Sequence, residues 1–118
     1  MAKIALETMP FFGFVGVQEF ERQVGNDFEV NITVEADIHK AAATDNVNHT
    51  VDYTQIYALV KEVMSIQVEL IETLVARIGK GILEEFPEVS HCTVRINKLS
   101  PKVGGPIAMT WVEEFFTR

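Results

Sequence analysis

Four polar side chains near the ends of predicted elements are the candidates for acid–base chemistry: Glu21, Tyr53, Glu72 and Lys98. On position alone, the lysine and the two glutamates are typical of solvated residues, and the tyrosine is typical of a partly buried core residue. At the mouth of a pocket, by contrast, the Lys98 amine could act as a base. Glu72 lies near the start of a predicted helix, where the helix dipole favours a carboxylate.

Other kinds of site have little support. His39, His49 and His91 are far apart, and the chain has neither a His-x-x-x-His nor a Cys-x-x-Cys spacing, so we expect no metal site. His91 and Cys92 are neighbours in a predicted strand and point to opposite faces, which excludes a nucleophile–base pair. Cys92 is predicted to be a small buried apolar residue. Gly104-Gly105 lies between strands, where a turn is more typical than a phosphate loop.

Alternation of apolar and polar residues predicts the strands. It is strict over residues 27–37, which indicates a long strand with one buried and one solvent-exposed face, as in antiparallel sheets. Residues 3–9 alternate less cleanly and are predicted to pair with that strand. Residues 91–98 predict a third strand, and residues 107–116 predict a fourth.

Two stretches have the apolar spacing of amphipathic helices. The first begins at Asp52, which can cap the helix with Gln55 at the capping-box spacing. The second runs over about 69–86, where Pro87 stops it. Gly79 and Gly81 weaken this helix, so we expect close packing against the sheet at these positions. Residues 38–50 are predicted to form a connection.

The order strand, strand, helix, helix, strand, strand predicts an α+β fold, with a four-stranded antiparallel sheet and two helices on one face. The length of 118 residues fits a single domain, 1–118. Aromatic residues outnumber what this small core can bury, so we expect subunits to join their sheets edge to edge into a closed barrel. The surplus aromatic residues are Phe11, Phe12, Phe14, Phe20, Trp111, Phe115 and Phe116.

Charge and composition limit the partners. The chain has 10 basic and 17 acidic residues, a net charge of −7, which argues against duplex nucleic acid and against anionic membrane surfaces. A single cysteine excludes an internal disulfide, no apolar run approaches the roughly 18 residues of a membrane span, and the first residues are unlike a signal peptide. These features predict a soluble, cytoplasmic protein.

Several short segments, taken in order, resemble the dihydroneopterin aldolase family of the folate pathway. They are Gly13-Phe14-Val15-Gly16-Val17, Glu21, Gly25-Asn26-Asp27-Phe28, Thr44-Asp45-Asn46, Thr50-Val51-Asp52-Tyr53, Leu70-Ile71-Glu72 and Val94-Arg95-Ile96-Asn97-Lys98. The resemblance covers nearly the whole chain. It implies the tunnelling fold, in which subunits form barrel-shaped homotetramers that pair into homo-octamers, with the sites between subunits.

The resemblance also implies a pterin as the ligand. By position, Glu72 would bind the 2-amino and N3 hydrogens of the pterin, because a carboxylate accepts two parallel hydrogen bonds from such a planar edge. The backbone of Ile71 would help to hold the ring. Tyr53 of the adjacent subunit would stack on the pterin and take part in proton transfer, with the backbone of Val51 nearby.

The implied reaction is cleavage of 7,8-dihydroneopterin into 6-hydroxymethyl-7,8-dihydropterin and glycolaldehyde, without a metal, Schiff base or other cofactor. Lys98 would be the general base, acting through a water molecule on a side-chain hydroxyl group. Glu21 would contact the hydroxylated tail and orient it.

The chain departs from the family pattern in three places. Val15 replaces the usual histidine, Asn26 replaces a glutamine, and Ser100-Pro101-Lys102 replaces Asn-Pro-Pro. The loss of the histidine makes the glycine segment similar to the related dihydroneopterin triphosphate 2′-epimerases. The alternatives to the aldolase are therefore this epimerase activity and a non-catalytic, oligomeric pterin-binding module.

Overall fold

Four strands form one antiparallel sheet in their order along the chain in the computed structural model, which describes all 118 residues. The strands are β1 (Ala2–Gly13), β2 (Asn26–Ala36), β3 (Val89–Leu99) and β4 (Met109–Thr117). The predicted α+β class and antiparallel sheet are confirmed. Because β1 and β4 are the outer strands, each presents one unpaired edge.

The alternation in β2 and β3 gives the sheet one buried face. Each second residue of β2, from Phe28 onward, is buried, and Val30 lies opposite Ile96 of β3. The same register places Lys98 opposite Phe28. Lys98 therefore follows Ile96 on the buried face of the sheet, one step beyond the last apolar residue of the row.

Two long helices cover this face: α3 (Tyr53–Met64) and α4 (Ile71–Glu85). Asp52 caps α3 as predicted, although its carboxylate accepts from the Thr54 amide at 3.0 Å and not from Gln55. The prediction of close helix–sheet packing is correct for Gly79, where a β-carbon would overlap the Phe116 ring of β4. It is wrong for Gly81, which lies against Leu59 of α3.

Three short segments have helical structure that the sequence pattern did not reveal: α1 (Glu19–Val24), α2 (His39–Thr44) and a 3-10 turn (Val47–His49). None of them contains a buried residue. Without buried positions, a helix has no apolar period to detect. The connection at 38–50 is therefore partly helical, and so is the segment that precedes Gly25.

The surplus of aromatic residues is visible on the surface of the single chain. Phe12, Phe14, Phe20, Trp111 and Phe115 each expose at least two-fifths of their area. This exposure supports subunit contacts, and the barrel assembly stays a prediction. None of the helices has the length and apolar character that crossing a bilayer requires.

Replacing Asp52 with alanine should destabilise the fold through the start of α3. The Asp52 carboxylate accepts from the backbone amide and the hydroxyl of Thr54, and loss of such a cap costs about 1 kcal/mol. Urea unfolding at one protein concentration measures this. Asp52→Asn, which keeps an acceptor oxygen, should retain most of the stability, and equal stability of Asp52→Ala and the wild type would contradict the capping role.

Candidate active site

An ion pair joins the end of β3 to α1. Lys98 Nζ lies 2.5 Å from Glu21 Oε2, and only 14% of the lysine side chain and 16% of the glutamate side chain are exposed. The interpretation of both residues as solvated surface residues is therefore wrong. The continued alternation of Cys92, Val94 and Ile96 was the signal that Lys98 points inward.

Both carboxylate oxygens of Glu21 have partners. Oε2 accepts from Lys98, and Oε1 accepts from the backbone amide of Gln18 at 3.3 Å, within the first turn of α1. The hydrogen bond from Lys98 is the main cause that holds the pKa of Glu21 below its usual value, and the Gln18 amide acts in the same direction. Partial burial opposes this shift without cancelling it.

Gly16 makes room for the Glu21 side chain. A β-carbon at position 16 would lie 2.6 Å from Glu21 Cδ and 2.9 Å from its Oε1, closer than real β-carbons approach other atoms. A larger residue would push the carboxylate away from Lys98. The glycine at position 16 therefore serves the ion pair.

The ion pair lies in the wall of a cavity of about 280 Å³. Ile71 and Glu72, at the start of α4, contribute to the same wall; Ile71 is buried, and Glu72 is exposed. Thr110 and Val112 of β4 lie opposite Lys98 and Ile96. The cavity is lined by Val15, Val17, Glu21, Glu69, Leu70, Ile71, Glu72, Lys98, Pro101, Lys102, Thr110 and Val112.

Tyr53 and Val51 do not line this cavity. Val51 is buried, whereas Tyr53 begins α3 with 60% of its area exposed, so its interpretation as a core tyrosine is wrong. α3 packs against β1, at the edge of the sheet opposite to β4. Within one chain, the structure thus unites four of the six predicted site residues and separates the other two from them.

Sequence reasoning missed Arg22. Its guanidinium donates from Nη1 to the carbonyl oxygens of Gly16 and Val17, both at 2.7 Å, beside the cavity wall. One arginine within a charged segment carries no periodic signal, and its acceptors are backbone atoms that the sequence does not distinguish. No three histidine, cysteine, aspartate or glutamate side chains come together in a geometry that could hold a metal ion.

Comparison with known proteins decides the family. A sequence model of the dihydroneopterin aldolase (FolB) family matches residues 4–113. The chain belongs to the dihydroneopterin aldolase family. Dihydroneopterin aldolase of Bacillus subtilis is 37% identical over 106 residues, which cover 89% of this chain and 88% of the relative. The family predicted from the ordered motifs is thereby confirmed.

Solved structures of two dihydroneopterin aldolases share the fold. The Escherichia coli structure, in complex with neopterin, has a TM-score of 0.85 at 18% identity and covers 97% of this chain and 99% of that chain. The Burkholderia thailandensis structure, bound to guanine, has a TM-score of 0.81 at 18% identity. The match covers 99% of this chain and 91% of that chain. At this identity, the likeness establishes the tunnelling fold of the chain.

The Glu21–Lys98 pair should make stability depend on pH on the acid side. Because the pKa of Glu21 is lowered in the folded state, its contribution is fully present above the unfolded value of about 4.3 and is lost as pH falls through the folded value. Glu21→Gln should therefore cost about 1 to 2 kcal/mol near pH 7. This difference from the wild type should shrink towards pH 3 in urea titrations. A difference that stays constant with pH would contradict the ion pair.

Proposed function

We propose that this chain is a dihydroneopterin aldolase, which cleaves 7,8-dihydroneopterin into 6-hydroxymethyl-7,8-dihydropterin and glycolaldehyde in folate biosynthesis. The observation that carries the proposal is the sheltered Lys98–Glu21 pair in the same cavity as the free Glu72 carboxylate. Family membership supports the same activity. The proposal treats residues 1–118 as one domain, requires no cofactor, and places the enzyme in the cytoplasm, where the single thiol of Cys92 would stay reduced.

Glu72 is the proposed anchor for the pterin ring. Its carboxylate is exposed in the cavity wall at the first turn of α4, so its two oxygens are open to a ligand. A pterin presents its 2-amino and N3 hydrogens side by side, which suits a bidentate carboxylate. The neighbouring Ile71 is held by burial, so its backbone is a fixed support for the ring. The guanine bound to the Burkholderia relative presents the same kind of edge.

Lys98 is the proposed general base of the retro-aldol step. Through a water molecule it removes the proton of the 2′-hydroxyl group; the C1′–C2′ bond then breaks, and glycolaldehyde leaves. The bonding electron pair moves into the dihydropterin ring, and C1′ subsequently takes up a proton. Lys98 must be neutral to act as a base, so its ion pair with Glu21 has to open. The hydroxylated tail of the substrate offers Glu21 the replacement hydrogen bonds.

Tyr53 and Val51 are proposed to reach this cavity from a neighbouring subunit. The cavity includes Thr110 and Val112, on the edge strand β4, while α3 with Tyr53 packs beside β1 at the other edge. Pairing β4 of one subunit with β1 of the next would bring the exposed tyrosine ring towards the cavity of its neighbour. There it would stack on the pterin and take part in proton transfer. A homotetramer, or a homo-octamer of two such rings, satisfies this arrangement.

One observation favours the epimerase as the second candidate. Val15 is buried and contributes an apolar surface to the cavity, where the aldolases usually have a histidine. Incubation with dihydroneopterin and with its triphosphate separates the candidates. Glycolaldehyde from the unphosphorylated substrate supports the aldolase, and the 2′-epimer alone supports the epimerase. Bound pterin without either product supports the non-catalytic module.

Substitutions of Lys98 and Glu72 should affect different steps. Lys98→Ala should lower kcat by about 100-fold or more, because general base catalysis typically contributes 10²–10⁴, and should change pterin affinity much less. Glu72→Ala should weaken pterin binding by about 10-fold or more, since it removes charged hydrogen bonds. Steady-state kinetics and fluorescence titration with pterin measure these effects. Alanine substitutions of the exposed α4 residues Lys80 and Glu84 are matched controls. An undiminished kcat in Lys98→Ala would refute the role of Lys98 as the general base.

Mixing two inactive variants should restore activity if each site is shared. In oligomers assembled from Tyr53→Ala and Lys98→Ala subunits, a site with both intact residues forms wherever a Tyr53→Ala subunit supplies the cavity and a Lys98→Ala subunit supplies the tyrosine. Random assembly gives roughly a quarter of such sites. Co-refolding of the two variants, followed by the glycolaldehyde assay, measures this. Activity no higher than the sum of the separate variants would contradict the shared site.

A further inference from the structure

Arg22 links the segments that form one side of the cavity. From α1, its Nη1 atom donates to the carbonyl oxygens of Gly16 and Val17 at 2.7 Å and lies 3.7 Å from Glu69 Oε1. Its own carbonyl oxygen accepts from Gln67 Nε2 at 2.8 Å. One residue thus contacts both the glycine segment before α1 and the segment that leads into α4.

α1 depends on such polar contacts to stay in place. None of its six residues is buried, so apolar packing contributes little to holding it against the sheet. A helix this short is also unstable by itself. Apart from the Glu21–Lys98 pair and the capping hydrogen bonds at its two ends, α1 is connected to the segments around it by the hydrogen bonds of Arg22. The Arg22 side chain is only about one-quarter exposed.

We propose that Arg22 is a positioning residue, whose guanidinium fixes α1 against the Gly16–Val17 backbone and thereby keeps the Glu21 carboxylate beside Lys98, placed to receive the hydroxylated tail when the ion pair opens. The kinetic part of this inference rests on the proposed aldolase function, and the structural part does not. Arg22 supplies position more than charge, because the two N–H groups of one nitrogen, Nη1, are fixed in the plane of the guanidinium and donate to two adjacent carbonyl oxygens. A lysine ammonium at the same position would keep the charge without that fixed geometry.

Replacement of Arg22 should lower turnover while pterin binding persists. We expect Arg22→Lys and Arg22→Met each to reduce kcat for dihydroneopterin by about 10- to 100-fold, the effect of a misplaced orienting group. The Kd of unsubstituted pterin, which lacks the tail, should change less than about 3-fold. This follows because Glu72 is anchored through the buried Ile71, and the long contact of Arg22 with the exposed Glu69 is weak. An Arg22→Lys variant with full activity would overturn the positioning role.

A double variant tests whether Arg22 acts through Glu21. If it does, adding Arg22→Met to Glu21→Gln should reduce kcat by less than about 3-fold beyond Glu21→Gln alone, because the group to be positioned is already altered. If the reductions in kcat caused by Arg22→Met and by Glu21→Gln multiply in the double variant, Arg22 acts independently of Glu21, and the inference is wrong.

Hydrogen exchange gives a readout that needs no substrate. The Gly25 amide donates to the Glu21 carbonyl oxygen at 3.0 Å and closes α1. In Arg22→Met and Arg22→Lys, this amide and its neighbours in α1 should exchange at least about 10-fold faster than in the wild type. They should be unchanged in the control Arg77→Met, an exposed position on α4. Undiminished protection would overturn the inference even in an active enzyme. If the Arg22 variants exchange faster but the wild-type protein does not cleave dihydroneopterin, the aldolase activity is refuted and the role of Arg22 in holding α1 is still supported.

Discussion

The ion pair between Lys98 and Glu21 is the interaction on which the site depends. It lies at the end of an apolar row of β3 and is largely withdrawn from solvent, although each charge loses hydration there. Such a pair is favourable only where the geometry is good and the remaining lone pairs are satisfied. The Glu21 carboxylate meets these conditions, because its second oxygen accepts from the Gln18 amide, and Gly16 leaves space for it.

The two partners of this pair come from elements of very different rigidity. Lys98 belongs to an inner strand that is hydrogen-bonded on both sides and packed against the core. Glu21 belongs to a six-residue helix without a buried position, held by polar contacts that centre on Arg22. This difference suits the proposed reaction, in which Lys98 would act as the base and the pair would open to admit a hydroxylated tail. The pair can open without disturbing the hydrophobic core.

The sheet also accounts for the separation of the proposed site residues within one chain. The cavity reaches the β4 edge, whereas Tyr53 and Val51 lie beside the β1 edge. The same edges and surfaces expose aromatic side chains, among them Trp111 and Phe115 on β4 and Phe12 on β1. Edge pairing between subunits would therefore cover the apolar surface and complete the proposed site in one step.

Local sequence determined the main elements and their buried faces. The strict alternation over β2 and the apolar stripes of α3 and α4 predicted the sheet, the covering helices and the fold class, because side-chain periodicity follows directly from backbone geometry. The ordered motifs identified the family. Only the tertiary structure showed α1, the part played by Gly16, and the contacts of Arg22. Glu21 and Lys98 are 77 positions apart, and their pairing depends on how a short polar helix folds over the end of a strand, which no local periodicity encodes.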